Sequence, residues 1–176
     1  LALAPSLGAA DVRLVASPRA ALDVSAYKGF VSKGGTLVVT GEWGGFGDYN
    51  PDAANALTRP FGLALRPDLV RVSGQTPQRE QVAAAVSAGL PVSRNAGSLS
   101  LHTGCSVMAS PMAAAVATSG ANGYRVQAVT TGEQTLAAAI PYGEGLVIVV
   151  GDTSAWVDSH LNEAGNRQFM LNLFGW

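Results

Sequence analysis

The chain has 176 residues, of which 48% are hydrophobic and 13% are charged, and its formal net charge is -1. This length suits one domain with a sizeable core, and the near-zero charge excludes the basic surface that binding to nucleic acid or to an anionic membrane requires. The single cysteine excludes an intrachain disulfide and a cysteine-based metal cluster, and no apolar run reaches the roughly 18 residues of a membrane span.

The beginning of the sequence predicts a strand, a helix and a second strand with short links between them. Val12–Ala16 has the pattern of a buried strand, Asp23 is a typical N-cap, and the helix that follows ends at about Ser32, before Gly34-Gly35. Thr36–Thr40 then forms an apolar, β-rich run. Two strands joined through one helix should be parallel.

A glycine-rich loop, Gly41–Asn50, comes next and carries aromatic residues among its glycines. Asn50-Pro51 predicts the start of a second helix, which runs to about Phe61 and stops at Gly62. The remaining elements of this half are one or two short strands within Leu63–Val72 and a polar-faced helix over Thr76–Ala88.

The second half of the sequence is β-rich, with glycine-containing turns between its apolar runs. Leu136–Ile140 and Leu146–Val150 are too close in sequence for a crossover and should form an antiparallel hairpin, which makes the sheet mixed. An amphipathic segment, Asn166–Trp176, closes a single domain over residues 1–176. The other predicted strands are Ser98–His102, Ala113–Thr118 and Tyr124–Val129.

A family resemblance is carried by Phe30–Glu42, Asn55-Ala56-Leu57, Phe61-Gly62-Leu63, Tyr142–Ser154, Asn166 and Asn172-Leu173-Phe174. These segments resemble the class I glutamine-amidotransferase-like superfamily, and more closely its non-catalytic branch of DUF4350 and GIFT domains, related to gliding-motility and intraflagellar-transport proteins. The resemblance implies an α/β fold: a flavodoxin-like three-layer sandwich with a mixed, mainly parallel sheet and a β-rich C-terminal half. It also implies a scaffold or ligand-sensing role.

The sequence departs from that family at two places. The family domain usually begins with a strand and a helix before the strand at Val12, and residues 1–10 are too short for both. Either that strand and helix are missing or another chain provides them. Thr76–Ala88 looks like an insertion.

Cys105 is the first candidate for catalysis, because the resemblance implies a cysteine nucleophile within Gly-x-Cys-x-Gly and a downstream His-x-Glu pair. Here Gly104-Cys105-Ser106-Val107 lacks the second glycine, and His160 is one residue too far from Glu163. A thiol without an oriented base stays largely protonated. We expect Cys105 to be a small buried side chain; the alternative is a nucleophile with His102 or His160 as its base.

Carboxylates follow the two most apolar strands. If these strands are parallel neighbours, their polar ends meet at one edge of the sheet, and grouped carboxylates there suit Ca²⁺ or Mg²⁺. The alternative is structural, with Asn50 and Asp52 at a helix start and Asp152 at a turn. The residues of this edge are Glu42, Asp48 and Asp52 after the first strand and Asp152, Asp158 and His160 after the second, with Asp48, Asp152 and Asp158 as candidate metal ligands.

Aromatic residues form the third group of candidates: Trp43, Phe46, Tyr49 and Trp156. Aromatic side chains on a glycine-rich loop can stack on sugars or anchor a protein partner, and they can equally form the loop's own small core.

We therefore expect a non-enzymatic binding or assembly module of a larger secreted or surface-associated system, with another protein chain or domain as its partner. The low share of charged residues favours an extracytoplasmic location, although the preference for Arg over Lys also fits a GC-rich genome. The alternatives are a Cys-dependent hydrolase and a divalent-metal-dependent ligand-binding domain. The expected binding residues are Glu42, Trp43, Phe46, Asp48, Tyr49, Asp152, Trp156 and Asp158.

Overall fold

A computed structural model describes residues 12–74, 81–87, 89–128 and 130–175. Its helices are α1 (Val24–Ser32), α2 (Pro51–Thr58) and α3 (Asn166–Leu173). Its strands are β1 (Val12–Ala16), β2 (Thr36–Thr40), β3 (Leu63–Leu65), β4 (Val70–Val72), β5 (Gln81–Val86), β6 (Ser98–His102), β7 (Val107–Ala109), β8 (Ala114–Thr118), β9 (Gly123–Arg125), β10 (Thr130–Thr131), β11 (Thr135–Tyr142) and β12 (Gly145–Val150).

The main sheet has seven strands in the order β1-β2-β12-β11-β8-β5-β6. The β1–β2 and β2–β12 pairs are parallel, and the four remaining pairs are antiparallel. The expected flavodoxin-like three-layer sandwich with a mainly parallel sheet is therefore wrong: the fold is a β-rich, curled mixed sheet with few helices. The physical reason is that the connections β5–β6 and β11–β12 are too short to contain a crossover helix, so the chain reverses at each of them.

The helix expected over Thr76–Ala88 is also wrong where the structure describes it. Residues 81–86 form β5, in which Val82 and Ala84 are buried while Ala83 and Ala85 are exposed. Three consecutive alanines hide this two-residue period, and alanine's high helix propensity suggests a helix until strand pairing overrides it. Residues 76–80 and 88 lie outside the described part of the chain.

Local signals at the helix termini are confirmed. Asp23 caps α1 by accepting hydrogen bonds from the amides of Ser25 and Ala26. Asn50 caps α2, after which a short 3-10 turn ends at Gly62, whose φ of 84° is left-handed. These caps depend on residues two or three positions apart, which is why the sequence predicts them well.

The core lies on both faces of the main sheet because successive side chains of a strand point to opposite faces. On one face, Leu37 and Val149 pack with α1 and α2; on the other, Val38 and Val150 pack with α3 through Phe169. β2 is buried along its whole length between β1 and β12. The carboxyl ends of these three parallel strands share one edge of the sheet. No helix in the described residues has the length and apolar character needed to span a membrane.

Candidate functional site

Thr153 joins the loops that follow the three parallel strands. Its hydroxyl oxygen lies 2.6 Å from Ser17 Oγ, after β1, and 2.7 Å from Thr40 Oγ1, at the end of β2. Its amide donates to Glu42 Oε1 at 3.0 Å. The loops after β1, β2 and β12 therefore form one hydrogen-bonded surface, which we call the carboxyl-end surface.

Two acidic side chains are buried beneath this surface. Glu42 is 1% exposed and Asp152 is fully buried. Burial, together with the negative charge of Asp152, raises the pKa of Glu42 to about 7, against hydrogen bonds from Thr153 and Ser154 that lower it. Burial also raises the pKa of Asp152 to about 6. Glu42 Oε2 makes no hydrogen bond to any described residue.

Asp152 connects two strands that lie far apart in the sheet. One of its carboxylate oxygens accepts the amide of Ser154, and the other accepts the amide of His102 at the end of β6. The adjacent amide of Cys105 donates to the carbonyl of Gly151 at 2.7 Å. Because β6 is the strand farthest from β1 in the sheet order, these bonds exist only because the sheet curls and brings β6 back to the end of β12.

A cluster of two imidazoles and a carboxylate lies where the end of β6 meets the loop after β12. His102 Nε2 is 2.6 Å from Glu163 Oε2, and His160 Nδ1 is 3.0 Å from Glu163 Oε1. The two rings stack with their centroids 3.8 Å apart, and Ser100 Oγ donates to Glu163 Oε2 at 2.7 Å. These hydrogen bonds lower the pKa of Glu163 to about 2, and the bond from Ser100 has the largest effect. Glu163 is therefore ionised at neutral pH.

Ser100 Oγ also lies 3.3 Å from His102 Nε2, but this arrangement is not a serine-protease-like triad. A triad requires the hydroxyl on one imidazole nitrogen and the carboxylate on the other. Here Ser100 and Glu163 approach the same nitrogen of His102. His102 is therefore not placed to activate Ser100 with Glu163 as its orienting carboxylate.

Two residues beside the cluster have strained backbone conformations. Thr103 follows His102 with φ 56°, and Ala164 follows Glu163 with φ 45°. Left-handed conformations are costly for residues other than glycine, asparagine and aspartate, and such strain occurs preferentially at functional sites.

The predicted carboxylate edge divides in the structure. Glu42 and Asp152 come together below the surface, whereas Asp158 is exposed. Asp48 is also exposed and pairs with Arg19 at 3.0 Å. Among the described residues, the cluster whose donor atoms are close enough to hold one metal ion is His102, His160 and Glu163, with all three atoms within 4.8 Å of one another.

The predicted aromatic group divides as well. Phe46 is 44% exposed, while Tyr49 is buried and Trp43 packs partly against the core on the α2 side. Trp156 stacks on Phe169, with ring centroids 6.4 Å apart. Phe46 is thus the member of this group that presents the most surface to a partner.

Cys105 is completely buried. Burial, with the nearby negative charges of Asp68, Glu42 and Asp152, raises the pKa of its thiol well above the ordinary value. Among the described residues, the imidazole of His102 bonds to Ser100 and Glu163 and that of His160 bonds to Glu163; neither ring bonds to the thiol. This environment disfavours a thiolate nucleophile.

Sequence reasoning missed Glu163 as a functional residue. Its spacing to His160 is noted above only as a mismatch with a His-x-Glu pair. The spacing i, i+3 within a turn is nevertheless a usable signal, because it brings the two side chains together. Ser100 and His102 are two apart on one strand and therefore share a face, but nothing local shows that Glu163 meets them.

Comparisons with known proteins identify the fold and the family. A model of the domain of unknown function DUF4350 matches residues 2–174. No curated protein sequence matches the chain. Among solved structures, the N-terminal domain of mmIFT52 is similar with a TM-score of 0.72 and 21% identity, covering 94% of this chain and 76% of that one.

Two further structures share the fold at lower similarity. The β-galactosidase from Bacillus circulans sp. alkalophilus has a TM-score of 0.56 and 16% identity, over 93% of this chain and 22% of that one. Cytoplasmic protein STM1381 from Salmonella typhimurium LT2 has a TM-score of 0.57 and 14% identity, over 86% of this chain and 58% of that one.

Proposed function

The chain belongs to the DUF4350 family, and from this premise we propose that it is a non-enzymatic binding or assembly module that engages another protein chain or domain. The observation that carries the proposal is the carboxyl-end surface, where exposed apolar side chains extend from hydrogen-bonded loops. Phe46, between β2 and α2, is 44% exposed, and Val157, after β12, is 46% exposed. Apolar anchors with a polar rim are characteristic of protein interfaces.

The carboxyl-end surface is preorganised by its own hydrogen bonds. Thr153 ties together the three loops through Ser17, Thr40 and Glu42, and the exposed Arg19–Asp48 pair adds a polar contact at the rim. A surface that is ordered before binding loses less conformational entropy when a partner arrives. The net charge of -1 disfavours a nucleic acid as that partner.

The fold's occurrence inside longer chains supports a modular role. The matched region is 22% of the chain of the Bacillus β-galactosidase, so this architecture serves there as one part of a larger protein. We propose that the present domain likewise works within a larger secreted or surface-associated system, for which its charged fraction of 13% is the supporting observation. Fractionation of native cells tests the location, and an exclusively cytoplasmic signal would contradict it.

We also propose that the domain descends from the class I glutamine-amidotransferase-like superfamily without retaining its chemistry. The complete burial of Cys105 supports loss of the nucleophile. One residue in the segments that carry the resemblance has a structural role instead: Asn55 exchanges two hydrogen bonds of 2.8 Å with the backbone of Leu65. The buried side chain of Asn55 thus joins α2 to β3.

Site-specific photo-crosslinking in native cells tests the binding role. A benzophenone amino acid replaces Phe46 in the full-length protein, and a matched variant carries it at Phe174, which is 41% exposed at the end of α3. We expect one discrete protein adduct from position 46 and none from position 174. The purified partner should then bind F46A at least about tenfold more weakly than F174A, a loss of about 1.4 kcal/mol. Equal adducts from both positions, or unchanged binding by F46A, would refute the assignment of this surface.

A further inference from the structure

We propose that His102, His160 and Glu163 form a binding site for a single Zn²⁺ ion. The site goes beyond the proposed function, because it is complete within the chain and requires no partner protein. It also differs from the Ca²⁺ or Mg²⁺ site that the carboxylates Asp48, Asp152 and Asp158 suggested, since its donors include two imidazoles.

The donor atoms converge on one point. His102 Nε2 and His160 Nδ1 each contact a different oxygen of the same Glu163 carboxylate, at 2.6 and 3.0 Å. The rings are stacked at an interplanar angle of 22°, so the two nitrogens approach the carboxylate from the same side. An ion placed between these nitrogens and the carboxylate can reach all three side chains.

The spacing of the donors requires little adjustment. Zinc–nitrogen and zinc–oxygen bonds are about 2.0–2.1 Å long, which separates tetrahedral donors by about 3.4 Å. The donor atoms of His102, His160 and Glu163 now lie within 4.8 Å of one another, with the shortest contact at 2.6 Å. Opening the two carboxylate–imidazole contacts by under about 1 Å brings those donor pairs to tetrahedral spacing. A donor pair that is now farther apart than about 3.4 Å has to close by at most about 1.4 Å, because no pair is separated by more than 4.8 Å.

The donor chemistry selects the metal. Ca²⁺ and Mg²⁺ prefer sets of oxygen ligands, whereas two imidazoles with one carboxylate suit Zn²⁺. The three side chains are 22%, 29% and 33% exposed for His102, His160 and Glu163, so an ion has access from solvent. Three protein ligands leave a fourth position for water or for an external donor.

The surroundings hold these ligands in place, as outer-shell groups do at metal sites. The amide of His102 is anchored to Asp152. The buried Asn166 side chain donates to the carbonyls of Ser100 and His160 at 2.9 and 3.1 Å, and the Ser100 hydroxyl donates to Glu163. The strand that carries His102 and the turn that carries His160 are therefore fixed relative to each other before any ion arrives.

Isothermal titration of the EDTA-stripped full chain with Zn²⁺, after removal of any purification tag, tests the site. We expect one ion per chain, and we expect Co²⁺ in place of Zn²⁺ to produce the intense visible d–d absorption of four-coordinate cobalt. E163Q and H160A should each weaken Zn²⁺ binding at least tenfold. D158N, which changes an exposed carboxylate outside the cluster, should bind as the unmodified chain does.

Circular dichroism and metal-free unfolding curves show whether each variant is folded, and H160Q replaces H160A if the latter is not. Absence of one-to-one Zn²⁺ binding would overturn the proposal, and the cluster would then be a hydrogen-bonded His–Glu–His arrangement without metal. Binding that survives both E163Q and H160A or H160Q would overturn it as well, because the ion would then lie elsewhere. Neither outcome bears on the proposal that the carboxyl-end surface binds a partner, which the crosslinking experiment at Phe46 tests separately.

Discussion

The side-chain amide of Asn166 donates a hydrogen bond to the main-chain carbonyl of His160, 3.1 Å away. The same nitrogen donates to the carbonyls of Ser100 and Ala155, and Asn166 Oδ1 accepts the amide of Ser100. Asn166 is fully buried at the start of α3. One side chain therefore joins β6, the short 3-10 turn Ser154–Trp156 and the turn that carries His160.

Replacing Asn166 by alanine should lower the free energy of unfolding by about 3 kcal/mol, because buried main-chain groups lose their hydrogen-bond partners. N172A is the matched control on the same helix. The amide of Asn172 also donates to two carbonyls, of Val92 and Arg94, but this side chain is only partly buried, so water can replace its bonds. Urea unfolding measures the loss of stability in N166A and in N172A. A loss in N172A as large as that in N166A would contradict the role of buried hydrogen bonding.

Glu42 should make the protein less stable as pH rises toward neutrality. Its pKa is raised from 4.5 to about 7 in the folded state, so the folded protein holds the proton more tightly than the unfolded chain does. This proton contributes about 3 kcal/mol to the free energy of unfolding. The contribution is fully present below about pH 4.5 and is lost as pH rises through about 7. Asp152, whose pKa is raised to about 6, acts in the same direction at lower pH.

The free energy of unfolding of the variant E42Q should therefore differ most from that of the unmodified protein at high pH. We expect it to be more stable than the unmodified chain at pH 8, with the difference shrinking or reversing at pH 5. The lowered pKa of Glu163, about 2, affects stability only below about pH 4.5. Urea unfolding of both proteins between pH 5 and 8.5 therefore leaves Glu163 out, and the comparison with E42Q separates Glu42 from Asp152, which both proteins contain. D48N, at an exposed ion pair, is the control. Parallel curves for E42Q and the unmodified chain would show that Glu42 is ionised throughout.

Cys105 should resist alkylation in the folded protein. Its side chain is fully buried and burial raises the pKa of its thiol, so both access and thiolate concentration are low. Reaction with iodoacetamide at pH 8 should be at least about a hundredfold slower than in denaturing guanidinium. Rapid labelling of the folded chain would instead revive the alternative of a Cys-dependent hydrolase.

Two glycine-to-alanine substitutions should have opposite effects. A Cβ atom on Gly145 would lie 2.2 Å from the carbonyl oxygens of both Gly35 and Val31, so the hairpin would have to move away from α1. We expect G145A to lose about 3 kcal/mol. Gly29, inside α1, has open space at the same atom, and G29A should gain up to about 1 kcal/mol from helix propensity. Thermal unfolding distinguishes them, and a G145A variant as stable as the unmodified chain would contradict this close approach.

Patterns between near neighbours in the sequence predicted much of the fold. The β1–α1–β2 order, the caps Asp23 and Asn50 and the β11–β12 hairpin are confirmed, because helix caps and short turns depend on positions a few residues apart. The expectation that Val12–Ala16 is a buried strand is wrong: β1 lies at the edge of the sheet and has no buried residue. The β5 strand was not predicted, because its consecutive alanines show no difference in polarity between the buried and the exposed face.

The sequence by itself determined where the apolar strands β2 and β12 and the helices α1 and α2 end, and hence that the loops after β2 and β12 would share one edge if those strands became parallel neighbours. Only the tertiary structure decided that β6 returns to that edge. The bond between the His102 amide and Asp152 joins residues 50 positions apart, and the contact between His102 and Glu163 spans 61. No local propensity encodes such pairs. They arise from the curl of a mixed sheet whose strand order the sequence pattern leaves open, and that curl assembles the proposed zinc site.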